Sequence, residues 1–224
     1  MRMVLAVFLL LASGAALASG GSSMGGGGGY SMPMQRKSPH QIAVEDYNTG
    51  LKHRDRAKSY MKELQTQQNP RKVAWLKKHI NREFDYAAKL FRKAIAHDDS
   101  LYQADGSLGY ALRKTGHYSQ ALKAYNRALA LNPEYTEAIE YRAEAYLALG
   151  RFDDTKQSYM HLMKRDRPRA DELMKAIEAW LADPPKNATP ESVSALKQWA
   201  TERMQLGALT SDLAGTAKTD WSPD

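Results

Sequence analysis

Six histidines, His40, His53, His79, His97, His117 and His161, are the first places to look for metal or acid–base chemistry. A helix offers two ligands to one ion at spacings of three or four. None of the six has a second histidine there, and no H-E-x-x-H occurs. The adjacent carboxylates Asp98-Asp99 and Asp153-Asp154 fall at expected helix ends or starts, where they cap amides or meet the helix dipole. The chain has no cysteine, so disulfides, thiolate metal sites and cysteine nucleophiles are excluded together. Neither G-x-S-x-G nor G-x-x-x-x-G-K-[ST] is present. The run Gly25 to Gly29 has no strand before it and no helix start close behind, so it is not a phosphate loop. Met24, Met32 and Met34 are soft thioether ligands suited to Cu(I), but they are scattered, with only His40 nearby. Asn187-Ala188-Thr189 is a glycosylation acceptor if the cell is eukaryotic. No catalytic residue, metal or cofactor is expected, and the chain reads as a recognition protein rather than an enzyme.

The 224 residues are 43% hydrophobic and 25% charged, ordinary values for a globular protein. The first eighteen stand apart. Arg2 gives a positive start, Val4 to Ala12 is apolar, and Ala16-Leu17-Ala18 is the small-x-small pattern of signal peptidase. Residues 1–18 are expected to be a signal peptide cut after Ala18, leaving a periplasmic or secreted protein. An uncleaved anchor is the alternative, but the apolar stretch is short for a bilayer, and no later segment reads as a membrane span. Residues 19–40 form a Gly/Met-rich stretch expected to act as a flexible tether.

Charge is uneven along the chain. Residues 36–93 hold 15 Lys/Arg against 6 Asp/Glu, residues 94–167 hold 10 of each, and residues 168–224 hold 6 against 9. The formal +7 therefore comes from one region. An exported protein has little access to nucleic acid, which is not expected as a partner. An anionic envelope surface is one reading of the basic region; a solvated lysine-rich helical face is the other.

From about Ile42 to Met204 apolar residues recur every three or four positions, as along residues 118, 121, 122, 125, 128, 129 and 131. Shifted by 34 residues, the chain overlays itself. Gly109 falls on Ala143, Gly116 on Gly150, Tyr118 on Phe152 and Tyr125 on Tyr159. Shifted the other way, Phe84 falls on Tyr118, Ala87 on Ala121, Phe91 on Tyr125 and Ala94 on Ala128. A 34-residue period with two helices per unit resembles the tetratricopeptide repeat. Residues 102–135 carry the resemblance best, through Leu108-Gly109, Ala121, Tyr125, Ala128 and Pro133. Residues 136–169 depart from it: Arg142 stands in a large apolar slot, Thr155 in a small one, and the proline comes late, at Pro168.

The first unit, 41–101, is divergent. Thirty-four residues before Gly109 lies Trp75, which cannot fill a close helix crossing; Gly50, in Tyr47-Asn48-Thr49-Gly50-Leu51, can. Gly50 to Gly109 is 59 residues, 25 more than one period. The helical stripe continues through the excess, so both helices are expected to be lengthened into an antiparallel hairpin with its tip between Gln65 and Arg71. This hairpin carries Arg56, Lys58, Lys62, Arg71, Lys72, Lys77 and Lys78. Residues 170–206 are expected to form two capping helices and 207–224 a disordered tail.

The resemblance implies an all-α, helix-turn-helix superhelix with an extended N-terminal hairpin and a C-terminal helical cap. It also implies a concave groove lined by the first helix of each unit. By slot, that groove takes Gln103, Tyr110, Arg113 and Lys114 from one unit and Glu137, Glu140, Tyr141 and Glu144 from the next. Such a groove suits a protein or peptide partner. Some relatives grip a partner's terminal carboxylate with Lys and Asn, but here Tyr47, Leu51 and Tyr110 stand in those slots. The expected function is an interaction scaffold or adaptor of the cell envelope or secreted space; the alternative is an envelope-surface binder acting through the hairpin.

Overall fold

The computed structural model of the protein describes residues 36–186 and 188–216. The expected signal peptide, the expected tether up to residue 35 with Met24, Met32 and Met34, Asn187, and residues 217–224 lie outside the described residues. Eight helices and no strand occur among the described residues. None of the helices is long and apolar enough to cross a membrane.

The helices pair in sequence. α1 (Pro39–Leu64) and α2 (Pro70–His97) form a long hairpin, α3 (Tyr102–Lys114) and α4 (Tyr118–Leu131) a short one, and α5 (Thr136–Ala148) and α6 (Phe152–Arg165) another. α7 (Arg167–Ala182) and α8 (Pro190–Thr216) follow. α1 packs on α3, α3 on α5 and α5 on α7, so the odd-numbered helices form one layer.

Local sequence sets the ends. Ser38 accepts from the Gln41 N–H at 3.2 Å while the Gln41 side chain accepts from the Ser38 N–H at 2.8 Å, a reciprocal cap that starts α1 at Pro39. Asn69 caps α2 by accepting from the N–H groups of Arg71 and Lys72, with Pro70 at the first helical position. The tip therefore spans residues 65–69, inside the expected window. α3 and α5 end alike. Gly116 and Gly150 take positive φ (80° and 71°), and His117 and Arg151 donate back to the carbonyls of Leu112 and Tyr146 at 2.8 and 2.9 Å.

The small slots are close crossings. A Cβ on Gly109 would lie 2.5 Å from the Tyr125 ring, and one on Gly50 would lie 2.6 Å from the Phe91 ring. The second helix thus answers the first after 16 residues in one unit and 41 in the other; the difference is the 25-residue excess. α1 and α2, with 26 and 28 residues, are twice the length of α3 and α4, with 13 and 14. Trp75 is 41% exposed on the lengthened part, as its exclusion from the crossing requires.

The departures at 136–169 are each accommodated. Thr155 is fully buried, and its hydroxyl donates to the carbonyls of Arg151 and Ala143. Arg142 reaches out to Asn126 at 2.9 Å instead of filling an apolar slot. The last helix continues past the expected end near Met204 to Thr216, so 207–216 is not the disordered stretch anticipated. Between Met204 and Thr216 there is no proline to stop it, and single glycines at 207 and 215 cost only about 1 kcal/mol each.

Candidate functional site

Tyr110 on α3 and Tyr141 on α5 lie 5.0 Å apart, ring centre to ring centre. With Tyr47 from α1, and with Ser107, Tyr135 and Glu137, they line a cleft on the face of the odd-numbered helices. The Arg113 guanidinium sits 5.4 Å from the centre of the Tyr110 ring and 4.9 Å from that of Tyr141. It is ion-paired to Glu144 across the two units. One turn along α5, Glu140 accepts from Arg169 of α7 at 2.7 Å, with Glu137 3.8 Å from the same arginine.

Several residues expected to be ligand contacts are thus internal. Tyr110, Arg113 and Glu140 are buried; Tyr141, Glu137, Glu144 and Lys114 are partly exposed. The physical reason is pairing. Each buried charge is held by an opposite charge from the neighbouring unit, which joins α3 to α5 and α5 to α7. Burial raises the Glu140 carboxyl above its ordinary range, with Arg169 acting against it. Burial likewise raises the hydroxyls of Tyr110 and Tyr141. Gln103, at the start of α3, is half-buried and not part of this cluster.

The basic hairpin divides. Lys58 leaves it for the cleft, where its ammonium lies 4.9 Å from the centre of the Tyr110 ring, beside Lys114 at 5.6 Å. Arg56 pairs with buried Glu83 at 3.3 Å, and His53 bonds the same carboxylate at 2.7 Å, tying the base of α1 to α2. Lys72 pairs with Glu63 at 3.2 Å and covers the Trp75 ring at 4.3 Å. Lys62, Arg71, Lys77 and Lys78 are exposed, without an ion-pair partner among the described residues.

Sequence reading missed Arg169, because α7 was read as a cap outside the repeats; packed on α5, it completes the cleft's charge network. It counted Lys58 with the basic hairpin, where α1 carries it, but did not foresee its contact with Tyr110, since slot matching ends where the lengthened helix begins. The signal for Lys58 was its spacing from Gly50 and Arg54, two turns and one turn along a continuous α1. Among the described residues, no three His, Asp or Glu side chains are grouped to hold a metal ion.

No curated protein matches the chain. Among solved structures, the second TPR domain of the human RPAP3 protein, in complex with an HSP70 peptide, is 21% identical. That match covers 62% of this chain and 98% of the other at a TM-score of 0.44. The first TPR of Spaghetti (RPAP3), bound to an HSP90 peptide, is 20% identical over 59% and 94%, at 0.42. MamA is 19% identical over 75% and 96%, at 0.41. Residues 106–135 match the family model described as tetratricopeptide repeat. That stretch holds Gly109, Gly116, Tyr125 and Pro133; residues 106–135 are similar to a tetratricopeptide repeat.

Proposed function

We propose that this protein is an exported, non-catalytic scaffold or adaptor of the cell envelope or secreted space, and that its concave cleft takes a segment of a partner protein. The repeat it carries is a protein-interaction repeat. The observation that carries the assignment to the cleft is the set of partly exposed rings of Tyr47, Tyr135 and Tyr141 that line it beside buried Tyr110, with the ammonium groups of Lys58 and Lys114 4.9 and 5.6 Å from the centre of the Tyr110 ring. Rigid aromatic surface edged by charge is the composition that binding hot spots favour. Export rests on Arg2, the apolar run and Ala16-Leu17-Ala18, and predicts a mature N-terminus at Ser19.

The test is retention of a partner recovered from the organism's own envelope fraction. Tyr141→Ser and Lys114→Glu are expected to lose it, while Lys77→Glu with Lys78→Glu keeps it. Retention by both cleft variants would refute the cleft as the binding face.

A second reading has a specific observation in its favour. Exposed Trp75 lies on the projecting hairpin with Lys77 and Lys78 beside it, a composition suited to an anionic lipid or cell-wall surface. Under that reading, Lys77→Glu with Lys78→Glu abolishes binding to anionic vesicles, and binding fades with salt.

A further inference from the structure

The exposed side of α2 repeats itself after eleven residues. Arg71, Trp75 and Lys78 recur as Arg82, Tyr86 and Lys89, and Lys93 opens the pattern a third time. Eleven residues make three helical turns and little more, so equivalent side chains fall nearly in line, about 16 Å apart. All seven are exposed, Trp75 at 41% and Tyr86 at 44%. Each ring is backed by a ring from α1. Tyr60 meets Trp75 edge to face at 5.6 Å, and His53 meets Tyr86 at 5.5 Å. His79 stacks on Trp75 at 3.7 Å, which fixes the indole further. A lysine lies over each ring, Lys72 at 4.3 Å from the centre of Trp75 and Lys89 at 5.7 Å from that of Tyr86. Arg71, Lys78, Lys89 and Lys93 have no ion-pair partner among the described residues. Arg82 stands 3.9 Å from Glu83, a buried carboxylate already held by His53 and Arg56. Asp85, exposed on the edge of the stripe, is the other acidic residue of α2.

We propose that this stripe binds a linear acidic glycan, with sugar rings on Trp75 and Tyr86 and carboxylates on the cations between and beside them. The inference rests on the second reading, in which the hairpin meets an anionic surface, and is independent of the cleft. Charge complementarity calls for a polyanion: Arg71, Lys78, Arg82, Lys89 and Lys93 face one exposed carboxylate, Asp85, over about 33 Å of helix. The line of equivalent positions calls for a strand. Insertion into lipid needs a broad apolar face, whereas Leu76, Ile80, Phe84 and Phe91 are buried and the two exposed rings stand singly among charges. Single-stranded nucleic acid stacks successive bases on aromatic side chains, but three turns carrying Lys78 and Arg82 separate Trp75 from Tyr86. A sugar ring offers its apolar C–H face to one aromatic ring at a time, while carboxylates along the strand reach the cations on either side. The lengthened hairpin gains a purpose by this: α2 has 28 residues against 14 in α4, room for one further period of eleven.

The probe is fluorescein-labelled oligogalacturonate, read by fluorescence anisotropy on the chain from Ser19 onward. Its methyl ester keeps the sugar rings and loses the charge; poly-glutamate keeps the charge and lacks the rings. Both are measured beside it, with oligothymidylate and phosphatidylglycerol vesicles. Oligogalacturonate is expected to bind at least roughly tenfold more tightly than the ester or poly-glutamate, the worth of one charged hydrogen bond. Arg82→Gln and Lys89→Gln should each weaken it severalfold. Trp75→Ala and Tyr86→Ala should do the same without changing poly-glutamate binding, and Trp75→Tyr should restore it. Lys164→Gln, on exposed α6 surface, should change nothing. Circular dichroism of each variant separates lost binding from lost fold. Equal binding of oligogalacturonate and poly-glutamate, undiminished binding by both alanine variants, or tighter binding of oligothymidylate would each overturn the proposal. Vesicles bound in preference to the glycan would end the glycan and leave the hairpin reading standing. Neither bound would end both.

Discussion

Gly109 and Tyr125 touch so closely that a Cβ on the glycine would lie 2.5 Å from Cε1 of the ring, and Tyr125 is fully buried. The ring cannot move away without opening the crossing of α3 and α4. Gly109→Ala is therefore expected to destabilise by about 1–3 kcal/mol, and Gly109→Leu by more. Thermal melts followed by circular dichroism check this. Gly50→Ala, against Phe91, should behave alike; an unchanged melt for either would mean the crossing is looser than described.

The Arg113–Glu144 pair joins two units through a nearly buried cation whose other neighbours are tyrosine rings. Glu144→Gln leaves that guanidinium without its counter-charge. The expected loss is about 2–3 kcal/mol, below the range for fully buried pairs because Glu144 keeps some exposure. Adding Arg113→Met should recover much of it. A double-mutant cycle in urea measures the coupling, and additive losses would show that the pair does not hold the units together.

Asp98 ties the end of α2 to the start of α1. Its carboxylate accepts from the Ser100 hydroxyl at 2.6 Å, lies 2.5 Å from His40 Nδ1, and accepts from the Ser100 N–H at 3.0 Å. These contacts, the Ser100 hydroxyl first, lower its pKa to about 2. The folded value lies below the ordinary 3.8, so the contribution to stability is present above about pH 4 and is lost as pH falls toward 2. Carboxyl NMR titration should find the midpoint near 2, and Ser100→Ala should raise it. A midpoint near 4 in the wild type would contradict these contacts.

Only the outer part of the hairpin is expected to be removable. Ala57 and Ile80 belong to the same buried cluster as Phe84 and Tyr110, so the base is part of the stack. Replacing 61–75 with a short turn should leave a helical protein with one cooperative melt, because repeat arrays draw stability from neighbouring units. Loss of cooperative melting would place the outer hairpin in the core.

The repeat, the place of Gly50 and the doubled first hairpin were legible because close helix crossings accept only small residues, and a 34-residue shift exposes them. The cleft was legible in part. Slot matching named Tyr110, Arg113, Glu140, Tyr141 and Glu144, yet spacing along one helix cannot tell a ligand contact from a cross-unit ion pair. That distinction depends on which charge the neighbouring helix brings, and Arg169 sits on a helix without a visible repeat signature. The contact of Lys58 with Tyr110 was hidden for a similar reason: a lengthened helix carries its residues beyond any slot the other units define.

Where the partner sits decides whether the cleft is the binding face. Benzoylphenylalanine in place of Tyr141, in the cleft, and separately in place of exposed Met160 on α6, can be photo-crosslinked in the native cells. A discrete heavier adduct from the Tyr141 position, with none from Met160, is the predicted result. An adduct from Met160 with none from Tyr141 would contradict it.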